Sequence, residues 1–342
     1  MISTYYNEEK YSWTAYGSRA FDMYFGGYSI CVLDIETTGL SPKNSHFVLG
    51  SLLFLGGGEA RLKQFFAEGL TEEKQLLEEY IREARAFDAL LTYNGKRFDV
   101  PFLLSRADRL ELDVTGLPYN LDMYLVLNDH SSLRKLLPNL RQKSVEDFMG
   151  LWQSRTDRIS GGESAALYHR YLYLKEALED TKECMDLMLL HNKDDVLQLG
   201  RLLPALEKAD FHRAMHYLGF PVASGTKKLT VESIKIEGRF LTASGAQTAN
   251  PVDFISYEAG EVKFTKKNSG FEIKCPLLSK AGLKIIDLAK LRDGLSDEFK
   301  GFPNYESGYL AVKNNNEIKF AEANYFVKTF LLNILKDIPE GD

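Results

Sequence analysis

The stretch VLDIETTGL, residues 32–40, joins an apolar strand pattern to two acidic residues and a turn. Residues 29–33 are apolar and β-prone, which predicts a buried strand that runs into Asp34 and Glu36. Side chains two apart on a strand project from the same face, with Cα atoms about 6.6 Å apart. Two carboxylates at the end of a buried strand need a partner, and a divalent cation is a natural one. A salt-bridged or solvated strand end is the alternative interpretation.

The sequence on either side of this stretch predicts an α/β domain with a mixed five-stranded sheet flanked by helices. A helical period covers residues 71–87, with Thr71 as N-cap, and a second helix is predicted over residues 99–109. Glycine-rich or Asn-Gly turns close two of the strands. The further strand-like runs are residues 47–55, 61–66, 89–93 and 119–124.

Two more acidic residues fall where they can join the first pair. Asp99 follows the fourth predicted strand, where it can also serve as the N-cap of the next helix. Asp195 lies on a predicted helix over residues 180–203, four residues after His191, so the two share a helix face. The alternative for Asp195 is a partly exposed acidic helix face. Acidic groups on three separate elements are harder to explain as surface charge than any one alone.

Such a set of carboxylates suits metal-assisted hydrolysis of phosphodiesters. Two divalent ions about 3.5–4 Å apart can activate water on one side and stabilise the leaving oxygen on the other. Four carboxylates supply enough negative charge to hold two such ions. A nearby histidine or tyrosine can position or deprotonate the attacking water.

Three segments, in this order, resemble the motifs of a known family. VLDIETTGL is similar to the first motif of the DEDD (DnaQ-like) 3′–5′ exonuclease superfamily, YNGKRFD at residues 93–99 to the second, and HNKDDV at residues 191–196 to the third. With residues 131–150 and 157–162, the pattern most resembles the bacterial YprB-like branch. The resemblance covers about residues 25–205 and implies an RNase H-like fold.

The resemblance also implies roles for individual residues. The metal ligands, for two Mg²⁺ or Mn²⁺ ions, would be Asp34, Glu36, Asp99 and Asp195. The terminal nucleotide and its strand would be bound by Thr37, Thr38, Leu40, Asn94 and Phe98, with Leu40 as a wedge against the base. Asp122 ends a predicted strand and would either support the site or serve a structural role.

His191 departs from the family pattern. The third motif usually has tyrosine four residues before its aspartate, or histidine five residues before it. Here histidine takes the tyrosine spacing, and Val196 occupies the position that the longer spacing would require. Because this spacing puts the imidazole on the same helix face as Asp195, we include His191 among the catalytic residues as the group that activates water. A packed histidine of no chemical role is the alternative.

The composition argues against a highly basic nucleic-acid-binding protein, a disulfide-rich protein and a membrane protein. The 342 residues carry a net charge of −6, and residues 1–205 carry 23 basic and 30 acidic side chains, so bulk charge does not drive binding to nucleic acid. Three widely spaced cysteines predict neither disulfides nor a zinc site and fit a reducing cytoplasm. The sequence predicts a cytoplasmic protein without a membrane span or a signal peptide.

The pattern changes after residue 206. We predict an N-terminal extension at residues 1–24, an RNase H-like exonuclease domain at residues 25–206, and a smaller β-rich domain of unknown role at residues 207–342. Nearly balanced charge makes this second domain as suitable for a protein partner as for a nucleic-acid strand.

The sequence therefore predicts a metal-dependent nuclease, a 3′–5′ exonuclease that binds the 3′ end of DNA or RNA. The alternative is a catalytically silent module on the same fold that binds nucleic acid or recruits a protein. Acidic residues at all four ligand positions favour the enzyme, because a binding module does not need them.

Overall fold

The computed structural model of the chain divides into two compact units. It describes residues 5–157, 159–258 and 260–338. The first unit holds the chain up to Gly17 and Gly27–Ala209. The second unit holds Ser18–Gly26 and the chain from Asp210 onward.

The first unit is built on one mixed sheet of six strands. The strands are β1 (Tyr5–Trp13), β2 (Ile30–Thr37), β3 (Phe47–Leu55), β4 (Gly58–Phe66), β5 (Ala89–Thr92) and β6 (Tyr119–Asp122). Their order across the sheet is β1-β4-β3-β2-β5-β6. The first three pairs are antiparallel, and β2, β5 and β6 run parallel. The carboxyl ends of β2, β5 and β6 therefore lie at the same edge of the sheet.

The sixth strand is β1, so the predicted count of five strands is wrong. The segment contains Glu8, Glu9 and Lys10 and lacks an apolar alternation that would mark it as a strand. It nevertheless pairs along β4 with a register that includes Lys10 opposite Arg61. An edge strand is held by hydrogen bonds on one side and needs little apolar surface, which explains why the pattern missed it. The chain then forms helix α1 (Arg19–Phe25), which belongs to the second unit.

Helices cover both faces of this sheet. They are α2 (Glu73–Arg85), α3 (Asp99–Arg109), α4 (Met123–His130), α5 (Leu133–Leu136), α6 (Gln142–Phe148), α7 (Gly161–Glu176) and α8 (Lys182–Arg201). On one face, Leu33 of β2 packs in a core cluster with Tyr80 of α2 and Phe102 of α3. On the other, Val48 of β3 packs with Tyr168 of α7 and Met188 of α8. The structure confirms a mixed sheet flanked by helices.

The second unit is rich in antiparallel strands, as predicted. Its strands are β7 (Phe220–Ser224), β8 (Lys227–Glu237), β9 (Phe240–Ala249), β10 (Phe254–Ser256), β11 (Glu261–Thr265), β12 (Gly270–Pro276), β13 (Leu278–Lys280), β14 (Leu283–Asp287), β15 (Tyr305–Glu306), β16 (Tyr309–Asn314) and β17 (Glu317–Ile318). One six-stranded sheet has the order β10-β11-β12-β9-β8-β7. A second sheet follows the path β13-β14-β16-β15, with β17 paired to β16.

Buried hydrogen bonds join α1 to the last helix of the second unit. The helices after residue 209 are α9 (Phe211–Leu218), α10 (Leu288–Leu291) and α11 (Phe320–Asp337). Nζ of Lys328 on α11 donates to the backbone oxygens of Met23 (2.9 Å) and Tyr24 (2.7 Å). Asn324 Nδ2 donates to the Tyr24 hydroxyl at 2.9 Å. These bonds satisfy carbonyls at the end of α1 that have no partner within the helix.

Cys31, Cys184 and Cys275 are buried free thiols. None of the helices in the described ranges is long and apolar enough to cross a membrane.

Candidate functional site

One cleft of the first unit, about 430 Å³ in volume, collects the predicted catalytic side chains. Asp34 and Glu36 reach it from β2, and Asp99 reaches it from the start of α3. His191 and Asp195 reach it from successive turns of α8. The fold thus brings together five residues that are spread over more than 160 positions of the sequence.

Four of the five residues predicted to bind the nucleotide line the same cleft. They are Thr37, Leu40, Asn94 and Phe98. Leu40 is 84% exposed, so its side chain is accessible at the edge of the cleft. Thr38 does not line the cleft. Its hydroxyl instead accepts the backbone N–H of His46 at 2.9 Å, so it secures the turn after β2.

The alternation along β2 places the two acids. Cys31, Leu33 and Ile35 point into the core cluster beneath α2 and α3. Asp34 and Glu36 therefore point to the opposite face, where α8 packs. The same period of two that buries the strand thus delivers both carboxylates to one side.

A chain of hydrogen bonds between buried polar side chains holds Asp34 in place. Asn192 Nδ2 donates to Asp34 Oδ2 at 2.7 Å, and the Asn192 side-chain oxygen accepts from the Ser51 hydroxyl. Gln64 Nε2 donates to the same Ser51 oxygen at 3.1 Å. Asn192 is fully buried, so the third motif supplies Asp34 with a fixed donor as well as its own acidic group.

Tyr80 supports Asp34 from the other side of the sheet. Its hydroxyl lies 3.1 Å from the backbone oxygen of Asp34 and 3.0 Å from that of Ser51. The ring fits there because Gly50 has no side chain. A Cβ atom at Gly50 would lie 2.5 Å from the Tyr80 ring.

The imidazole of His191 lies between three carboxylates. Nε2 is 3.5 Å from Glu36 Oε1 and 3.5 Å from Asp195 Oδ2. Nδ1 is 2.7 Å from Asp157 Oδ2. Burial alone would raise the pKa of Asp157, but hydrogen bonds from His191 and Arg155 hold it below its ordinary value. An ionised carboxylate can only accept, so Nδ1 carries the proton and Nε2 faces the cleft.

The buried guanidinium of Arg155 contacts three carboxylates at the site. Nε and Nη2 donate to the two oxygens of Glu146, at 2.8 and 2.7 Å. Nη1 lies 2.7 Å from Asp157 Oδ1 and 2.7 Å from Asp195 Oδ1. The Arg155 side chain is only 7% exposed, and three acidic groups share its charge.

The two adjacent aspartates of the third motif have different partners. Asp194 Oδ2 accepts the backbone N–H groups of Thr156 (2.6 Å) and Asp157 (2.7 Å) and does not line the cleft. Because Asp194 and Asp195 are about 100° apart on the helix, one shapes the loop and the other faces the cleft.

Asp122 shapes the second motif. Its two oxygens accept the N–H groups of Asn94 (2.9 Å) and Lys96 (2.9 Å), and it caps α4 through Leu125. These bonds hold Asn94 at a positive φ of 66°, a conformation that asparagine tolerates better than most residues. Asp122 thus supports the turn that leads to Asp99.

Burial raises the pKa values of the clustered acids. It raises the pKa of Glu36 to about 7 against the opposing charge of His191. It raises the pKa of Asp99 to about 7 against hydrogen bonds from backbone N–H groups. Burial, together with the neighbouring carboxylates, also raises the pKa of Asp34 well above its usual range. Burial also raises the pKa of Asp195, although the positive charges of His191 and Arg155 act to lower it.

This donor set fits a divalent cation. Ligand atoms of Glu36, His191 and Asp195 lie within 4.8 Å of one another. Carboxylate oxygens are the donors that Mg²⁺ and Mn²⁺ prefer, and imidazole is also acceptable to Mn²⁺. A bound cation would also stabilise the ionised carboxylates, whose pKa values are raised by burial and by their neighbours.

Several supporting residues had no signal in the sequence. Arg155 and Asp157 lie in an irregular connection, where neither a helical nor a strand period marks a side chain as buried, and Glu146 lies in the short helix α6. Asn192 was quoted within the third motif, but its bond to Asp34 crosses 158 positions of the chain. Contacts of that range follow from the packing of α8 on the sheet rather than from local spacing.

No curated protein matches the chain. Among solved structures, a family B DNA polymerase from the hyperthermophilic archaeon Pyrobaculum calidifontis matches with 14% identity and a TM-score of 0.40. The match covers 90% of this chain and 46% of the polymerase, so the chain spans less than half of that protein's length.

A family model gives the assignment. The model of the RNase_H superfamily matches residues 31–207, which is more than half of the chain. The matched region begins in β2, ends just after α8 and contains every carboxylate of the cleft. This protein belongs to the RNase_H superfamily.

Proposed function

We propose that the protein is a metal-dependent nuclease that hydrolyses phosphodiester bonds of DNA or RNA. The observation that carries the proposal is the convergence of Asp34, Glu36, Asp99 and Asp195 in one cleft. Membership of the RNase_H superfamily supports the same class of chemistry. Within that class we propose a 3′–5′ exonuclease of the DEDD type, in its YprB-like branch, because the motif order in the sequence is that of those enzymes.

The four carboxylates would hold the cations, which we propose to be two Mg²⁺ or Mn²⁺ ions. Bound divalent cations supply Lewis acidity to the reacting phosphate and neutralise its developing charge. Asn192 fixes the orientation of Asp34, and Arg155 fixes one oxygen of Asp195, so two of the four ligands are preorganised by hydrogen bonds.

His191 would take the proton of the attacking water at Nε2. Asp157 holds Nδ1, so the imidazole presents Nε2 to the cleft in one orientation. The same nitrogen is close enough to Glu36 and Asp195 to bind a metal ion together with them. The metal affinity of His191→Ala distinguishes this second role from action on water. The nucleotide would lie against Thr37, Asn94 and Phe98, with exposed Leu40 beside its base.

A catalytically silent module that binds nucleic acid or recruits a protein partner through the second unit is the competing proposal. Burial of several acids with raised pKa values favours the enzyme, because a binding module gains nothing from a cluster that disfavours its own ionisation.

The deciding experiment uses single-stranded DNA and RNA oligonucleotides carrying a label at the 5′ or the 3′ end. With Mg²⁺ or Mn²⁺, the 5′-labelled strands should shorten stepwise, and the 3′-labelled strands should release a labelled mononucleotide first. Asp34→Asn should abolish both products, whereas Asp108→Asn, an exposed change on α3, should not. Intact strands with the unsubstituted protein under all conditions would leave the silent module as the better proposal.

A further inference from the structure

A basic segment lies beside the acidic cleft. Residues 131–144 contain Arg134, Lys135, Arg141 and Lys143 and no acidic residue. Residues 1–205 as a whole carry 23 basic and 30 acidic side chains, so this stretch opposes the charge of its surroundings. Such a reversal next to a cleft of carboxylates requires an explanation.

Hydrogen bonds fix this segment to both walls of the cleft. The Tyr93 hydroxyl, at the start of the second motif, donates to the backbone oxygen of Leu140 at 2.6 Å. Gln142 Nε2 donates to the backbone oxygen of Asp195, in the third motif, at 2.9 Å. Arg141 stands between these two anchors, and it is one of the residues that line the cleft. Its position is therefore set by the same motifs that supply the carboxylates.

The guanidinium of Arg141 is exposed and has no protein partner. Within residues 5–157, 159–258 and 260–338 it makes no hydrogen bond, ion pair or ring contact, although carboxylates line the same cleft. Lys143 differs, because its Nζ lies 2.9 Å from the backbone oxygen of Ile159 and 3.3 Å from Asp157. Lys143 is thus restrained, and Arg141 is the cation left available to a ligand.

We propose that Arg141 binds a backbone phosphate of the nucleic-acid strand that enters the cleft. The inference rests on the proposed function and adds a binding residue to it. A polynucleotide carries one negative charge per nucleotide, and a cleft of carboxylates repels it. An anchored arginine offers a phosphate two parallel donors and offsets that repulsion. Since phosphates are the same in every sequence, this contact gives affinity without sequence preference.

The test measures binding rather than hydrolysis. A 20-nucleotide fluorescent single strand, as DNA and as RNA, is titrated with the full chain in EDTA at several salt concentrations. Arg141→Ala should weaken binding roughly three- to tenfold. It should also reduce the slope of log affinity against log salt by about 0.7, the value for one phosphate contact on a single strand. Both effects should be equal for homopolymeric and mixed sequences.

Two variants serve as controls. Arg109→Ala removes the same charge from an exposed position on α3 outside the cleft and should leave affinity and slope unchanged. Arg141→Lys keeps the charge and should recover most of the salt slope.

Arg141→Ala binding like the unsubstituted protein, or an equal loss in Arg109→Ala, would overturn the proposal. Failure of the unsubstituted protein to bind either strand would overturn it too. A protein that binds the strand through Arg141 but does not hydrolyse it would contradict only the proposed nuclease activity.

Discussion

Nη1 of Arg155 lies 2.7 Å from Oδ1 of Asp195. This contact holds one oxygen of the carboxylate and leaves Oδ2 facing His191, 3.5 Å away. A buried cation therefore sets the orientation of an acidic group that we assign to metal binding. Removal of the cation should disturb both the stability of the fold and the geometry of the site.

We predict that Arg155→Met destabilises the protein by about 3–5 kcal/mol, the usual effect of breaking a buried ion pair from one side. The substitution leaves Glu146, Asp157 and Asp195 without their shared cation. Urea unfolding at pH 7 measures the change, and Arg109→Ala serves as the exposed control. A loss no larger than that of the control would show that the three acids do not depend on Arg155.

Metal addition should raise the melting temperature. A cation that binds only the folded state stabilises it by about 2.7 kcal/mol at one hundred times its dissociation constant. The shift with Mn²⁺ or Mg²⁺ should disappear in Asp34→Ala and Asp99→Ala and persist in Asp108→Ala, an exposed change on α3. Differential scanning fluorimetry checks this, and identical curves with and without metal would contradict the site.

The metal-free protein should lose stability between about pH 5 and pH 8. Burial raises the pKa values of Glu36 and Asp99 to about 7, so the folded state binds more protons than the unfolded state in this range. Stability then falls as pH rises towards the folded-state pKa values. The free energy of unfolding is measured in EDTA across this pH range for the unsubstituted protein and for Asp99→Asn. The difference between the two pH dependences is the contribution of Asp99. A steeper pH dependence in Asp99→Asn than in the unsubstituted protein would oppose the prediction.

His191→Ala should reduce single-turnover hydrolysis by roughly 10²–10⁴-fold, the usual range for general acid–base catalysis. His191→Tyr should recover part of the rate, because a hydroxyl at this helix position can also orient water. Metal affinity of His191→Ala, measured by calorimetry, should change little if Nε2 acts on water. A large loss of affinity would assign His191 as a ligand, and an unchanged rate would leave it without a chemical role.

Gly50→Ala should destabilise the protein by roughly 1–3 kcal/mol, because the added Cβ would lie 2.5 Å from the Tyr80 ring. Displacement of Tyr80 would also remove the hydroxyl near the backbone of Asp34. Tyr80→Phe removes only the hydroxyl and separates the two effects. Equal stability of Gly50→Ala and the unsubstituted protein would contradict the tight packing.

The sequence predicted those parts of the site that depend on local spacing. The period of two puts Asp34 and Glu36 on one face of β2, and the helical period puts His191 and Asp195 on one face of α8. Both follow from backbone geometry alone. Thr38, by contrast, was expected beside the nucleotide, but its hydroxyl is used by the N–H of His46 in the turn.

Long-range contacts could not be predicted in this way. Asp157 reaches His191 from an irregular connection, and β1 joins the sheet through backbone bonds that side-chain pattern does not encode. Both contacts depend on how distant parts of the chain pack together in the folded protein. The sequence therefore predicted which acidic residues and which histidine meet in the cleft better than it predicted which residues hold them in place.

The position of α1 affects how the chain must be made. Residues 18–26 leave the ribosome before their partners in the second unit, which begin at Asp210, roughly 180 residues later. At ~5–20 residues per second, translation of that interval takes roughly 10–40 s. Phe21, Tyr24 and Phe25, all buried in the finished fold, cannot be covered by the rest of the second unit until the chain beyond Asp210 emerges. The second unit is therefore completed last, and a gene fragment starting at residue 210 would encode it without its first helix.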